Sequence, residues 1–384
     1  MTQPIILKGG RMKRIFGFVK KVDPILLGAS LFLSAISIVT IYGSVDNFGR
    51  SKLIMQVAMT VLGVALSFVL ANIDYRFLAD RYSPWLFWGS VALLGVTLLF
   101  GISGINMETA NKSWITIPII NISVQPSEFV KIAFLCTFSS HINRVRNSLN
   151  SLKTLVGLMI HAGAIVGLIL LSGDLGVALV YMGVIALMLF CAGLYKRYFA
   201  IAAGAVVLAA PLLWLLLEDY QRNRIIYGFR PDLDPTGLVA RQPLMSRQAI
   251  ASGGLFGRGL FGGGFYEDLT ASHTDFIFAT VCEKFGFVGG ALVVIALMVI
   301  TLRLFYISLN CRDNIGKLIC CGASAIIIIQ TLENLWMCLA LVPVIGLTLP
   351  LVSCGGSSVL ATYLLFGLVH SVYAKEKRFY FAER

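Results

Sequence analysis

Long apolar runs are the feature of this sequence that most narrows what the chain can fold into. They extend over roughly 18–25 residues, the length that a helix needs to cross a hydrocarbon core about 30 Å thick. Only helices and closed barrels satisfy their backbone hydrogen bonds inside lipid, and these runs are continuous rather than alternating. The sequence therefore predicts an all-α integral membrane protein with about ten transmembrane helices. The predicted spans are residues 24–43, 52–72, 84–104, 126–143, 154–172, 174–193, 197–217, 275–305, 316–341 and 350–373.

The composition excludes a soluble globular domain. Of the 384 residues, 58% are hydrophobic and 13% are charged, whereas a soluble domain carries about 25% charged residues. The eight cysteines are scattered, mostly within the apolar runs, with no Cys-x-x-Cys spacing. Neither a disulfide framework nor a zinc site is therefore expected.

The basic residues indicate the topology. A formal net charge of +12 would suggest a nucleic-acid partner in a soluble protein. Here most Lys and Arg residues lie in the tails 1–23 and 375–384 and in alternate short loops, which is the pattern of cytoplasmic segments in a membrane protein. We therefore expect no nucleic-acid partner, both termini in the cytoplasm, and an uncleaved first span that is too long for a signal peptide.

One segment of the predicted transmembrane domain 24–374 is far longer than the other connections. Residues 218–274 form an outer loop between the seventh and eighth spans, and loops of this length are usually functional or disordered. Its basic residues are all arginines, whose fork suits phosphate better than the point charge of lysine. These arginines either recognise a pyrophosphate or a headgroup, or are simply solvated and paired with acidic neighbours. The two explanations fit the sequence equally well. The arginines are Arg222, Arg224, Arg230, Arg241, Arg247 and Arg258.

The fourth span opens on Gln125-Pro126-Ser127-Glu128, followed by Lys131. Glu128 and Lys131 are three residues apart and share one face of the helix. A lone charge in the membrane costs on the order of 3 kcal/mol, and a paired one costs less. The two residues therefore predict either a structural ion pair or the polar wall of a substrate cavity.

Two aspartates stand at the outer ends of predicted spans. Asp275 stands at the outer mouth of the eighth span, where it is either a carboxylate favoured by the helix dipole or a general base facing the outer surface. Asp174, in Ser172-Gly173-Asp174, either caps the sixth span or lines a cavity.

Other polar features have structural explanations. The glycine-rich stretch has the Gly-x-Gly-x-x-Gly spacing of a dinucleotide-binding fingerprint, at Gly257, Gly259 and Gly262. That fingerprint functions only within a βαβ unit. We expect these glycines to allow close backbone approach instead. Glu283 and Lys284 are adjacent within the eighth span, so they face different directions and each needs its own partner.

Several motifs in order resemble the SEDS family of RodA, FtsW and SpoVE, over residues 24 to 374. They are Trp114-Ile115, Gln125-Pro126-Ser127-Glu128 with Lys131, Gly173-Asp174-Leu175-Gly176, the segment from Gln248 to Gly257, His273-Thr274-Asp275-Phe276-Ile277-Phe278, and Leu349-Pro350 with Ser353-Cys354-Gly355-Gly356-Ser357-Ser358. The chain departs from the family at Ser172-Gly173, where Gln-Pro is common, and at Cys354, where Tyr is common. These departures concern fine substrate contacts and leave Asp275 intact.

The resemblance implies ten helices and a glycosyltransferase that polymerises lipid II at the outer face of the bacterial cytoplasmic membrane, for elongation, division or sporulation. It implies Asp275 as the catalytic base and a class B penicillin-binding protein as partner, with lipid II and membrane lipids as the other ligands. No tightly bound cofactor is expected, although a divalent metal, Mg²⁺ or Mn²⁺, would suit the leaving pyrophosphate. The expected substrate-binding residues are Glu128, Lys131, Asp174, Gln248, Arg224, Arg247, Arg258, Trp114 and Ser357.

Two other functions fit the same residues. A lipid II flippase would use the buried charges as a translocation path that reaches both sides of the membrane. A non-catalytic scaffold that activates a penicillin-binding protein would tolerate the loss of Asp275.

Overall fold

The computed structural model describes residues 21–102, 112–117, 122–235, 237 and 239–382. Most of the predicted tail 1–23, together with residues 383–384, lies outside this part of the chain. The main helices are α1 (Pro24–Tyr42), α2 (Arg50–Leu70), α3 (Ser83–Phe100), α4 (Pro126–Arg144), α5 (Leu152–Leu171), α6 (Leu175–Cys191), α7 (Lys196–Leu216), α8 (Asp219–Phe229), α9 (Arg241–Ser252), α10 (Ile277–Asn310), α11 (Asn314–Cys338) and α12 (Gly356–Ala382).

A helix occupies each of the ten predicted spans, which confirms the all-α membrane fold class. By length and composition, seven helices among the described residues are able to cross a membrane: α1, α2, α3, α5, α10, α11 and α12. α6 is apolar but slightly shorter. Ten crossings, and the side on which the termini lie, stay predictions.

α11 and α12 form the centre of the bundle. In their most apolar stretches 78% and 83% of the residues are buried, compared with 22% in α2 and α3. α11 packs against α4, α6 and α10, and α12 packs against α2 and α4. The apolar outer faces of α2 and α3 are the surfaces expected to face lipid, whereas polar groups on α11 and α12 face protein.

A two-stranded antiparallel hairpin, which the sequence analysis did not predict, precedes α4. Strand β1 (Ile115–Ile117) pairs with β2 (Ile122–Val124), with Ile115 opposite Val124. Both strands are rich in β-branched residues, which favour extended backbone. The hairpin brings the chain to Gln125, the residue that begins α4.

The segment 218–274 is not one open loop but contains the two helices α8 and α9. α8 begins with a capping box between Glu218 and Gln221. α9 packs against α10 and α11, and the Ser246 hydroxyl donates to the Cys338 carbonyl over 2.8 Å. The remainder includes a glycine-rich series of turns, residues 253–266, that we call the glycine-rich turns.

Glycines allow these turns to lie directly on α10, as the sequence predicted. A Cβ on Gly253 would lie 1.9 Å from the Cys282 carbonyl oxygen, and a Cβ on Gly257 would lie 2.1 Å from the Lys284 carbonyl oxygen. Real Cβ atoms do not approach an oxygen so closely. Only glycine therefore fits at these two positions.

α10 breaks at the point where the glycine-rich turns meet it. Gly286 has φ 67° and ψ −165° inside the helix, a conformation open to glycine. The amides after the break donate to the turns instead of the helix, Phe287 to the Gly254 carbonyl at 2.8 Å and Val288 to the Leu255 carbonyl at 3.2 Å. The break is thus satisfied by hydrogen bonds from outside the helix.

Glu283 and Lys284 fix the glycine-rich turns in place, and each has its own set of partners, as predicted. Both side chains are fully buried. The Glu283 carboxylate accepts backbone N–H groups of Gly264 (2.8 Å), Phe265 (3.0 Å) and Tyr266 (2.9 Å). The Lys284 ammonium donates to the carbonyls of Gly43 (3.1 Å), Leu260 (2.8 Å) and Gly262 (3.5 Å). These charges therefore have a structural role.

α12 begins at Gly356, later than the predicted start at residue 350. Residues 347–354 form turns and irregular backbone, and all of them except Thr348 are buried. The helix is delayed because Leu351 adopts a positive φ of 64° and Ser353 satisfies the backbone locally, accepting the Leu349 N–H at 2.7 Å. Irregular backbone of this kind occurs in membrane proteins only where protein covers it or a cavity adjoins it.

Candidate active site

Asp275 lies two residues before α10, where its carboxylate is only partly exposed. Its backbone carbonyl accepts a hydrogen bond from Asn334 Nδ2 on α11, 2.7 Å away. Its Oδ2 atom faces the backbone of Gly346, since a Cβ there would lie 3.6 Å from it. Burial raises the pKa of Asp275 from 3.8 to about 6, and the negative charge of Asp174 adds to the rise.

The irregular segment before α12 holds the chain around Asp275. The Ser353 hydroxyl donates to the Thr274 carbonyl at 2.6 Å. The Cys354 amide donates to the His273 carbonyl at 2.8 Å. The two residues before Asp275 are thereby attached to the serine-rich motif that lies some eighty residues later in the chain. The resemblance motifs around Asp275 and Ser353 thus form one structure.

Asp174 caps α6 and also reaches a second element. Its Oδ1 accepts the Val177 amide at 3.1 Å, the hydrogen bond of a helix N-cap. Its Oδ2 accepts Gln125 Nε2 from the start of α4 at 2.9 Å. Burial raises the pKa of Asp174, and the charge of Glu128 adds to the rise. The predicted cap is therefore confirmed, and Asp174 also belongs to the polar group near Asp275; its place in a cavity stays a prediction.

Glu128 and Lys131 form an ion pair inside the bundle. Lys131 Nζ lies 2.6 Å from Glu128 Oε1, and both side chains are buried. They line a small cavity together with Gln330 of α11 and Thr362 of α12. The predicted pairing on one helix face is confirmed, and the pair also forms part of a cavity wall.

Ser357 lies in the first turn of α12 and is buried. Its hydroxyl accepts the Gln125 amide at 3.3 Å, so it contacts the residue that also bonds Asp174. The next residue, Ser358, shares a hydrogen bond of 2.8 Å with Thr348. Hydroxyl groups from α12 therefore line the same polar region.

The predicted loop arginines do not all reach this region. Arg224 of α8 does, because its guanidinium donates to the Val344 carbonyl at 2.9 Å, two residues from Gly346. Arg258 is exposed and lies over the Phe265 ring at 5.4 Å. Arg247 is exposed on α9.

The two remaining predicted residues have peripheral positions. Gln248 is exposed on α9 beside Arg247. Trp114 is half-buried and its backbone pairs with Ile102. Neither side chain has a recorded hydrogen bond to Asp275 or Asp174 among the described residues.

Sequence reasoning assigned no role at this site to three polar residues. Gln125 bridges Asp174 and Ser357, and Asn334 donates both to Asp275 and to the Leu347 carbonyl, at 2.7 Å each. Glu333, the neighbour of Asn334, is half-buried with one carboxylate oxygen unpartnered among the described residues. The signal available was the presence of polar residues within an apolar helix, which in a membrane marks function by default.

The described side chains do not form a metal site by themselves. Within the described ranges, no three or more His, Cys, Asp or Glu residues are grouped to hold an ion. Both carboxylate oxygens of Asp174 already accept hydrogen bonds. We therefore derive no chemical step through a metal.

The geometry is suited to proton abstraction at a membrane surface. Asp275 has the pKa of a base that is ionised at neutral pH yet still accepts a proton readily. Buried polar groups lie near Asp275. Arg224 of α8 contacts Val344, in the segment that the Asp275 carboxylate faces. A substrate with a lipid tail in the bilayer and a charged headgroup outside would meet these groups at the end of the bundle.

Comparisons with known proteins find relatives that match nearly the whole chain. The "Probable peptidoglycan glycosyltransferase FtsW" of Trichlorobacter lovleyi is 30% identical over 92% of this chain and 93% of its own. The "Peptidoglycan glycosyltransferase MrdB" of Escherichia coli K12 is 30% identical over 95% of this chain and 97% of its own. The "Stage V sporulation protein E" of Bacillus subtilis is 29% identical over 92% and 98%.

Two solved structures share the fold. A chain from a structure of a peptidoglycan synthase complex superposes with a TM-score of 0.77 at 28% identity, over 92% of this chain and 98% of that one. The rod shape determining protein RodA of Thermus thermophilus gives 0.64 at 25% identity, over 92% and 96%. The sequence model of the FtsW, RodA and SpoVE family, described as "Cell cycle protein", matches residues 21–378. The chain belongs to this family.

Proposed function

We propose that the protein is a peptidoglycan glycosyltransferase that polymerises lipid II into glycan strands at the outer face of the bacterial cytoplasmic membrane. The observation that carries the proposal is Asp275, a partly exposed carboxylate fixed at the end of α10 by α11 and by the segment before α12. The relatives named as peptidoglycan glycosyltransferases support the reaction class.

Asp275 acts as the general base in this proposal. It takes the proton from the acceptor sugar hydroxyl while that oxygen attacks the anomeric carbon of the donor, and the bond to undecaprenyl pyrophosphate breaks. Because the pKa of Asp275 is raised by burial to about 6, the carboxylate is ionised at neutral pH and close to the best pKa for proton transfer.

The leaving pyrophosphate needs positive charge, and Arg224 supplies it in this proposal. One of its guanidinium nitrogens is held by the Val344 carbonyl, and the guanidinium has further N–H groups to offer. Preorganised donors of this kind stabilise charge that develops in the transition state. Arg247, Gln248 and Arg258 are exposed, so we assign them to first contact with the headgroup rather than to the reaction.

The inner residues bind and orient the substrate in this proposal. Asp174 and Ser357 meet at Gln125 and line the polar region close to Asp275. The Glu128–Lys131 pair forms the deeper wall of the site. The pairing lowers the free-energy cost of holding both charges inside the membrane. Trp114, at the hairpin, is proposed as an apolar contact beside the lipid.

A class B penicillin-binding protein is the proposed partner, since it would cross-link the new strand. The similarity to a chain of a peptidoglycan synthase complex supports assembly with a second enzyme. With the outer loop and Asp275 outside the membrane, the proposal requires both termini in the cytoplasm. A reporter enzyme that is active only outside the cytoplasm should be silent when fused after residue 384.

The test is polymerisation of labelled lipid II by the purified protein, alone and with its cognate penicillin-binding protein. Wild type is compared with Asp275→Asn, and with Asp268→Asn as the matched control, because Asp268 is an exposed carboxylate of the same segment. We expect strands from wild type and from the control, and none from Asp275→Asn.

Other outcomes discriminate the remaining functions. Equal strands from Asp275→Asn and wild type would keep the enzyme but remove Asp275 as its base. No strands from any protein, with the partner and Mg²⁺ or Mn²⁺ present, would contradict the proposal. In that case transfer of lipid II across vesicles by the protein would identify a flippase, for which the buried Glu128–Lys131 pair is the supporting observation.

A divalent metal stays a prediction of its own. Because the described side chains alone do not form a site, any Mg²⁺ or Mn²⁺ would be held jointly with the substrate pyrophosphate. Polymerisation should then stop in EDTA and return with added metal, while metal binding to the protein without substrate should be weak.

A further inference from the structure

Two cysteines from different helices meet at the end of the bundle opposite Asp275. The Cys321 thiol of α11 lies 2.9 Å from the Cys191 sulfur at the last residue of α6. A disulfide needs a separation of about 2.05 Å, so the sulfurs must approach each other by less than about 1 Å to bond. The two residues are 130 positions apart in sequence.

This pair differs from the other cysteines. All eight cysteines are free thiols, and Cys191 is the half-buried one while the other seven are buried. No second sulfur–sulfur contact is recorded among the described residues. Cys320 is the neighbour of Cys321, and adjacent residues on a helix do not face the same side. The pair therefore combines one accessible thiol with one buried thiol in direct contact.

The surroundings favour reaction at Cys191. Lys317 lies four residues before Cys321 in α11, so the two side chains share one face of the helix. A nearby cation favours the thiolate, which is the nucleophile in cysteine oxidation. Redox-sensing cysteines are typically accessible thiolates placed next to a resolving cysteine, and Cys191 with Cys321 has this arrangement.

We propose that Cys191 and Cys321 form a reversible disulfide that joins α6 to α11 when the cell meets a peroxide. The Cys191 thiolate attacks one oxygen of hydrogen peroxide and the O–O bond breaks, which gives a sulfenic acid and a hydroxide; the hydroxide takes up the proton that the thiol lost and leaves as water. The Cys321 thiol then attacks the sulfenic sulfur, the S–O bond breaks, and a second water leaves. In total two thiols and one peroxide give one disulfide and two waters, and a dithiol reverses the bond by exchange.

The link would act on the two helices that carry polar groups of the candidate site. α6 begins at its cap Asp174, and α11 carries Asn334, which bonds the Asp275 carbonyl. A disulfide at the far ends of these helices prevents them from separating or sliding. It also closes a long chain segment, which stabilises the folded state by limiting the unfolded one.

The test treats the purified full-length protein with equimolar hydrogen peroxide, blocks the remaining thiols with N-ethylmaleimide, and identifies linked peptides by mass spectrometry. We expect a Cys191–Cys321 linkage, two fewer blocked cysteines than in untreated protein, reversal by dithiothreitol, and an unfolding temperature several degrees higher when oxidised. A Cys320→Ser variant is the matched control and should behave as wild type.

Variants separate the two steps of the reaction. Cys321→Ser should stop at a sulfenic acid on Cys191 that dimedone labels, whereas Cys191→Ser should give neither linkage nor label. The proposal is overturned if peroxide leaves both thiols free in wild type, or if it joins either cysteine to Cys320 or to another molecule instead. Because the readout is the bond itself, the result does not depend on the proposed polymerase activity.

Discussion

Replacing Asn334 by alanine tests the reasoning about the site most directly. The side chain is fully buried in α11, and its Nδ2 donates to the carbonyls of Asp275 and Leu347, each at 2.7 Å. It therefore ties Asp275, two residues before α10, to the irregular segment before α12. Alanine removes both hydrogen bonds and leaves two carbonyls without this donor.

The expected cost follows from these two bonds. A buried acceptor deprived of its partner costs about 1–3 kcal/mol, so Asn334→Ala should lower the free energy of unfolding by about 3 kcal/mol in total. The carboxylate of Asp275 should also lose its fixed position. Because small misplacements of a reacting group are expensive, we expect kcat to fall at least about tenfold and KM to change less.

The assay has two parts, unfolding in detergent and initial rates on labelled lipid II at a temperature where every variant is folded. Thr331→Val is the matched control, since the hydrogen bond of the Thr331 hydroxyl stays within its own helix, to the Ile327 carbonyl at 2.7 Å. It should cost less than about 1 kcal/mol. Asn334→Asp, which keeps the size but turns oxygens toward two carbonyls, should be as harmful as alanine.

One result would refute this reasoning. If Asn334→Ala unfolds like Thr331→Val and keeps the wild-type kcat, the two hydrogen bonds neither stabilise the fold nor position Asp275. A loss of stability with normal kcat would keep the structural role and remove the positioning role.

Three further predictions rest on other parts of the structure. Because burial raises the pKa of Asp275 to about 6, the initial rate should fall as the pH is lowered through about 6, where the base is protonated, and a pH-independent rate would contradict its role. Lys131→Met leaves the Glu128 carboxylate buried and unpaired and should cost about 3–5 kcal/mol of unfolding free energy, measured by denaturation. The double change with Glu128→Gln should recover most of this loss. Gly257→Ala should loosen the glycine-rich turns and increase their cleavage by protease, because its Cβ would lie 2.1 Å from a carbonyl oxygen of α10. Gly264→Ala meets open space without a positive φ and should cost less, and equal cleavage of both variants would contradict this.

The raised pKa of Asp275 also has a consequence for stability. The folded protein binds its proton more tightly than the unfolded chain, so stability falls as the pH rises from about 4 to about 6. A pKa raised from 3.8 to about 6 corresponds to at most about 3 kcal/mol at neutral pH. We expect Asp275→Asn to be inactive yet at least as stable as wild type, which thermal unfolding at pH 7 measures.

Features with a local cause were accessible from the sequence. Hydrophobic runs set the helices because a helix that faces lipid needs about twenty apolar residues, whatever its neighbours are. The Glu128–Lys131 pair follows from a spacing of three on one helix, and the capping by Asp174 follows from its place before an apolar run. The order of motifs was enough to indicate the family.

Features that depend on contacts across the bundle were decided only by the tertiary structure. Arg224 reaches the region of Asp275 because α8 folds back toward Val344. Arg247 and Arg258 belong to the same segment, residues 218–274, but remain exposed. The late start of α12 and the partners of Glu283 likewise come from chain segments that pack against them. No periodicity or spacing encodes such pairings.

The contacts of greatest consequence join different elements of the fold. Asn334 joins Asp275 and Leu347, Gln125 joins Asp174 and Ser357, and two thiols 130 residues apart touch. The sequence by itself determined the membrane helices, the family and the aspartate at the helix end, because these are written in neighbouring residues. The fold alone decided which side chains hold that aspartate and which cysteines meet, because their positions depend on how the helices pack against each other.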